Sequence, residues 1–291
     1  MIDNIITKNI NEEYMMIKQI KRSKQAEVFL AVLYKQTDKV VIKSCINDKK
    51  KKAFINEINN IKKLNENGGH ANIIKFHEAF KNINDELYLV TPYYHGRDLN
   101  EVCICYSNTY GKDNSFYLNI IQSLILNLLD GLKFIHDNNI VHRDIKPENI
   151  IVNETNNLDN TLVGTSFIQS MLCPIIIDFG FSVEINKKDN RINGTPNYLS
   201  PEILYGYIHA KDVIFSKEND LWALGISFYG IIKGKMWKKQ ISTLLELAQH
   251  ITSKKQTLNI STSNINVNKI INMLTDYQPD IRSNVYNITV N

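Results

Sequence analysis

Val141-His-Arg143-Asp144-Ile-Lys146-Pro-Glu-Asn149 is the stretch on which the reading of this chain turns. It gathers the carboxylate of Asp144, the amide of Asn149 and the cations of Arg143 and Lys146 between two apolar segments. Before it runs a helical pattern rich in Leu and Ile, from Ser115 to Asn139, and after it comes Ile150-Ile-Val152. A loop of that composition is suited to holding polyanions. About thirty residues on, Ile175-Ile-Ile-Asp178-Phe179-Gly180 delivers another carboxylate from an apolar run into a turn. A single Asp in a loop usually serves a turn or a cap. Two motifs in this order carry far more information.

Together, His142-Arg-Asp-x-Lys-Pro-Glu-Asn149 and Asp178-Phe-Gly180 resemble the catalytic core of eukaryotic-type serine/threonine protein kinase domains. The resemblance implies an α+β, two-lobed protein-kinase fold in a single domain over 1–291. A small antiparallel-sheet lobe would occupy 14–93 and a mostly helical lobe 94–285. It implies transfer of the ATP γ-phosphoryl group to Ser or Thr hydroxyls of a protein substrate, with Mg²⁺, or Mn²⁺ in its place. Asp144 would accept the hydrogen bond of the incoming hydroxyl, and Lys146 would reach the transferring phosphate. Asn149 and Asp178 would hold the metal ions. Elementary chemistry agrees, because phosphoryl transfer asks a protein mainly for positioning and charge neutralisation, and Mg²⁺ prefers hard oxygen ligands.

Upstream, Tyr14–Ile20, Glu27–Tyr34 and Lys39–Cys45 read as strands rich in aliphatic and aromatic residues. Val40-Val-Ile-Lys43 resembles the strand whose lysine pairs with the α and β phosphates. A buried cation needs a partner. The helix expected from Lys50 to Glu66 supplies one: Phe54, Ile58, Ile61 and Leu64 form its apolar face, and Glu57 falls on that face. The plainer reading of Glu57 is a solvated flank of the stripe. The turn after the first strand departs from the family pattern, because Lys21, Ser23 and Ala26 stand where three glycines are usual before Val28. A stiffer or more open cover over ATP is expected. That departure motivates the alternative reading, a pseudokinase scaffold with weak or no ATP turnover.

The resemblance also implies adenine and ribose contacts. Ile20, Val28 and Ile151 would pack against the purine, Thr91 would be the gatekeeper, and Pro92 and Tyr94 would present backbone groups to its edge. Asp98 would meet the ribose, or cap the helix that follows it. Ile73–Phe80 and Glu86–Val90 read as two further strands. Residues 153–171, polar and rich in Asn, read as an inserted surface loop.

Gly194-Thr195-Pro-Asn-Tyr-Leu-Ser-Pro-Glu202 resembles the substrate-facing end of an activation segment, where Thr195 would bond Asp144 and Lys146. Asp220 is expected to accept N–H bonds from around His142 and Arg143, and Arg282 to pair with Glu202. In many kinases the arginine before the catalytic Asp binds an activation-loop phosphate. Here no Ser, Thr or Tyr lies between Ser182 and Thr195; Arg191 occupies the usual phosphosite, and Asp189 is the nearby anion.

Composition sets the remaining bounds. With 291 residues, 43% hydrophobic, the chain can bury a substantial core, and a net charge of +4 without a basic-aromatic stripe argues against a nucleic-acid partner. The four cysteines lack the spacing of a disulfide framework, which points to a reducing compartment. Leu221–Ile232, read as the longest apolar stretch, is too short to span a bilayer. A cytoplasmic protein, with nuclear access open, is expected. Oligomeric state leaves no signature in the sequence.

Overall fold

The computed structural model describes residues 5–23, 26–34, 38–154, 172–189, 193–234, 243–254 and 258–288. The chain divides into two compact units, Met1–His95 with Asp178–Gly180, and Gly96–Ile177 with Phe181–Asn291.

In the first unit a short helix α1 (Ile10–Glu13) is capped by the side chain of Asn9 and leads into β1 (Tyr14–Arg22). Then follow β2 (Ala26–Leu33), β3 (Lys39–Cys45), α2 (Lys51–Glu66), β4 (Glu78–Lys81) and β5 (Leu87–Pro92). The strands form one antiparallel sheet in the order β1-β2-β3-β5-β4. Tyr14, Ala31, Val40, Ile42, Phe80 and Val90 make one buried cluster on it, with the Phe80 ring stacked between Tyr14 and Tyr88. The N-terminal segment lies along the outer edge of β4. Lys81 donates its N–H to Ile6 O at 3.0 Å, Lys8 donates its own to Lys81 O at 2.9 Å, and Thr7 bridges Lys81 in parallel. Lys8 Nζ then reaches Glu13 at 2.9 Å and Glu78 at 2.7 Å.

The strand expected over Ile73–Phe80 is shorter, beginning only at Glu78. Asn65 explains this. Its Oδ1 accepts the Phe76 N–H at 2.9 Å and its Nδ2 donates to Ile74 O at 3.3 Å, so a helix side chain takes backbone groups that a ladder would otherwise use.

In the second unit β6 (Gly96–Asp98), β8 (Ile150–Glu154) and β9 (Leu172–Ile176) form a three-stranded sheet, while β7 (Ile140–Val141) pairs with β10 (Val183–Glu184). Gly96 is needed at its place, since a Cβ there would stand 1.9 Å from Val152 O. Glu154 pairs with Leu172. Residues 155–171 of the expected insertion lie outside the described residues. Helices α3 (Leu99–Tyr110) and α4 (Ser115–Asp137) precede the polar loop, and β11 (Lys188–Asp189) pairs with β12 (Val213–Ile214) beyond it. The other helices are α5 (Pro201–Ile208), α6 (Lys217–Lys233), α7 (Leu244–Lys254), α8 (Ile265–Leu274) and α9 (Pro279–Ser283).

Helix α4 buries Leu118, Ile121, Ile125, Leu128, Leu132 and Ile135 at three- and four-residue spacing, against α3, α6, α8 and β9. By length and composition α4 is apolar enough to cross a bilayer, which corrects the choice of Leu221–Ile232 as the longest apolar stretch; more than half of it is buried in the unit's own core. Helix α6 is buried on nearly every face, which is why its sequence lacks a polar stripe. Its ends are marked in the sequence by Asn219, whose Oδ1 accepts the Ser216 N–H at 2.8 Å, and by Gly234 in the left-handed conformation.

Candidate active site

In the first unit, strand alternation places Lys43 opposite Val28 on the neighbouring strand, and helix spacing buries Glu57 with Phe54, Ile58, Ile61 and Leu64. Lys43 Nζ donates to both Glu57 oxygens, at 2.7 and 2.8 Å, and to Asp178 Oδ1 at 3.1 Å. The solvated reading of Glu57 is thereby excluded. Burial pushes the Glu57 carboxyl up to about 7, the Asp178 charge adds to this, and the Lys43 ammonium pulls the other way. Burial opposes the charge on Lys43 as well, but the two carboxylates outweigh it and hold its ammonium above the ordinary lysine range. Asp178 has a φ of +66°, a left-handed conformation that a non-glycine residue keeps only where its surroundings impose it.

The turn without glycines is closed by a side chain. Ser23 donates its N–H and its Oγ–H to Ala26 O at 3.0 and 3.1 Å, and Ser23 Oγ accepts the Ala26 N–H at 3.1 Å. Ile20 is half exposed on β1. Thr91 is buried at the end of β5, and Pro92 pairs with Val40, a strand-end position that tolerates a missing N–H. Tyr94 Oη accepts the Lys75 N–H at 3.0 Å.

In the second unit, the Asp144 carboxylate receives four hydrogen bonds. Thr195 gives its N–H and hydroxyl to Oδ1 at 2.9 and 2.8 Å; Lys146 Nζ and Asn149 Nδ2 each reach Oδ2 at 2.8 Å. Lys146 also bonds Thr195 Oγ1 at 2.7 Å, and Asn149 Nδ2 bonds Asp144 O at 2.9 Å. Gly194, at φ +105°, lets the chain pass the loop closely, since a Cβ there would meet Arg143 O at 2.5 Å. Ile151 pairs with Asp98 and Ile175. Asp98 Oδ1 accepts the Glu101 N–H at 2.9 Å, so the capping reading of Asp98 is the one observed.

The loop is anchored from below by Asp220. This carboxylate, 1% exposed, accepts the His142 N–H at 2.7 Å and the Arg143 N–H at 2.8 Å, as the sequence leads one to expect. Burial works against its charge, but bonding to His136 and the nearby charges prevail and hold the carboxyl below its ordinary range. The His136 contact at 2.9 Å and a further one from His136 to Tyr286 at 2.7 Å had no signal in the sequence. Arg143, at φ +73°, stacks its guanidinium 3.9 Å from the centre of the Phe215 ring. Arg282 is fully buried and bonds Glu202 at 2.5 Å and Asp276 O at 2.8 Å.

A carboxylate under four donors after a strained Arg143, and a lysine clasped by two carboxylates at the Phe-Gly turn, are what the resemblance implies; residues 14–289 also match the family described as protein kinase domain. The chain belongs to that family. It is 30% identical to calcium-dependent protein kinase 4 of Plasmodium berghei (strain Anka) over 231 residues, 77% of this chain and 38% of that protein. It is 26% identical to the putative serine/threonine-protein kinase R436 of Acanthamoeba polyphaga mimivirus over 286 residues, 96% of this chain and 93% of that one. With the liver/testis phosphorylase b kinase gamma catalytic chain of Bos taurus it shares 35% over 130 residues, 43% of this chain and 28% of that one. The chain spans about two fifths of the length of its calcium-dependent relatives.

Proposed function

We propose that the chain transfers the ATP γ-phosphoryl group to Ser or Thr hydroxyls of a protein substrate. The observation that carries this reading is the Asp144 carboxylate, oriented by Lys146, Asn149 and Thr195. Asp144 accepts the acceptor hydroxyl's hydrogen bond and turns its oxygen toward phosphorus; Lys146 neutralises charge on the transferring group. Lys43, held by Glu57, offers its ammonium to the α and β phosphates. Asn149 spends its Nδ2 on Asp144, which leaves its amide oxygen as a ligand, and the Asp178 side chain is 44% exposed. These hard oxygens fit Mg²⁺. When bound, the ion neutralises phosphate charge. Incubating the purified chain with γ-labelled ATP, Mg²⁺ and a mixed peptide library tests the reading: label on Ser and Thr is expected. Nucleotide binding without transfer would favour the scaffold alternative that the turn at Ser23 motivates. We also infer a reducing, intracellular location, supported by four cysteines none of which forms a disulfide.

The pH dependence has a defined sign. Glu57 is a carboxyl raised to about 7, so its ionised form, the one that clasps Lys43, is complete above that value and is lost as pH falls through it. The rate is expected to fall as pH drops from about 8 to about 6, and Glu57→Gln to flatten the profile at a low level. A wild-type rate constant over this range, with ATP saturating, would refute the assignment.

Activation is expected without loop phosphorylation. The segment after the Phe-Gly turn is tied down by backbone pairing: β10 to β7, β11 to β12, Asn186 N–H to Phe215 O at 2.8 Å and Phe215 N–H to Lys187 O at 3.2 Å. Phe215 also covers the Arg143 guanidinium. Arg191 and the side chain of Asp189, the expected stand-in for a phosphate, lie outside the described residues. Complete phosphatase treatment should change the rate less than about twofold, because the order rests on hydrogen bonds rather than on added charge. A larger loss would place a regulatory phosphate elsewhere, with Ser182 and Thr195 the residues to examine first.

A further inference from the structure

We infer that Tyr286 is a positioning residue for phosphoryl transfer, acting on the catalytic loop through His136 and Asp220. The inference rests on the kinase reading above. Five residues from three regions of the chain form one line of contacts: Tyr286 Oη to His136 Nδ1 at 2.7 Å, His136 Nε2 to Asp220 Oδ2 at 2.9 Å, and the two Asp220 oxygens to the N–H groups of His142 and Arg143 at 2.7 and 2.8 Å. Asp144 is the next residue. Tyr286 sits in the 3₁₀ turn Asn284–Asn287 after α9, so the end of the described chain is tied to the loop that carries the reacting carboxylate.

Proton placement gives the hydroxyl a definite task. The Asp220 carboxylate only accepts, so the imidazole nitrogen facing it, Nε2, carries a hydrogen. If the ring is neutral, Nδ1 is then a lone pair, buried at the foot of α4, and needs a donor; if it is charged, Nδ1 donates to Tyr286 instead, so the inference takes the neutral ring as its premise. Tyr286 O–H is that donor. Burial, with the Asp220 charge, keeps the phenol protonated far above neutrality, so the donor persists across the working range. Without it Nδ1 is a buried lone pair with no donor from Tyr286, and the ring is freer to shift toward another donor or water, which lengthens the Nε2–H bond to Asp220. Asp220 then has a weaker third hydrogen bond and is freer to turn. The cost falls on Arg143, whose φ of +73° is sustained by the same carboxylate. A small displacement there moves Asp144 relative to the acceptor hydroxyl, a geometry to which transfer is steeply sensitive.

Tyr286→Phe in the full chain tests this, since it removes one oxygen and keeps the ring that packs at His136. The kcat should fall about tenfold to a hundredfold, while KM for ATP stays within about twofold of wild type, because Lys43, Glu57 and Asp178 are not part of the relay. Amide exchange at His142 and Arg143 should quicken in the variant, with that of β3 and β5 unchanged. In wild type, ¹⁵N spectra should show His136 with its hydrogen on Nε2 and Nδ1 accepting. A kcat within about twofold of wild type overturns the inference even if exchange quickens, and so does a wild-type His136 carrying a hydrogen on Nδ1, whether or not Nε2 carries one as well. Should the wild-type chain transfer no phosphoryl group, the kinase reading fails; the exchange and tautomer measurements still decide whether the relay holds the loop.

Discussion

Asp178→Asn should lower phosphoryl transfer by at least about a thousandfold while leaving the thermal midpoint nearly unchanged, and Lys43→Met should do the same. Asparagine keeps the size and the left-handed tendency that a φ of +66° requires, so the turn survives and only the negative charge is lost. Removing Lys43 takes away the cation beside Glu57. That carboxyl, already raised to about 7, then takes up a proton rather than remaining an unpaired buried anion, which limits the damage to stability. Steady-state transfer to a peptide beside a melting curve separates the two effects. Transfer by Asp178→Asn within about tenfold of wild type would remove Asp178 from the charge-stabilising role assigned to it.

Arg282→Met should be the most destabilising of these single substitutions, at about 3 to 5 kcal/mol in urea unfolding of the second unit. The guanidinium is wholly buried beside the Trp222 ring and bonds both Glu202 and Asp276 O. Methionine would fill much of the volume but leave the Glu202 carboxylate with Asn219 Nδ2, at 2.6 Å, as its remaining side-chain donor among the described residues. Replacing Glu202 by Gln in the same chain should recover part of the loss, since the stranded charge is the larger share of it. A shift below about 1 kcal/mol for Arg282→Met would mean that the pair is not what joins α9 to α5.

What could be read in the sequence was local, or rested on an element whose period is unmistakable. Glu57 stood out because a carboxylate on an apolar helix face needs a cation, and Lys43 in its apolar strand needs an anion. Asp144, Lys146 and Asn149 share nine residues, so their mutual bonding follows from one loop. Asp98 was open between two roles because an Asp before a helix suits both, and only its bond to the Glu101 N–H shows the cap. The shortened β4 could not be foreseen, because Asn65 competes for its backbone from a helix eleven residues away. Tyr286 and His136 are separated by 150 positions, and neither belongs to a spacing pattern. Phe215 is likewise an ordinary apolar residue until the fold sets it against Arg143.

The N-terminal segment along β4 bears on how the protein behaves in a crowded solution. A sheet offers two rims of unpaired amide and carbonyl groups, and each is a template on which a strand from another molecule can grow. Ile6, Thr7 and Lys8 occupy one rim of the five-stranded sheet through Lys81. The other rim is β1, whose exposed Met15, Met16 and Ile17 would invite such growth. There the register slips twice, between Met16 and Lys18 and between Gln19 and Lys21, and Lys18 and Lys21 place like charges along it, while Arg22 pairs with Glu27. A second molecule approaching that rim meets a kinked ladder and its own repelling cations. Strand addition is therefore opposed at one rim by occupancy and at the other by a slipped register and charge.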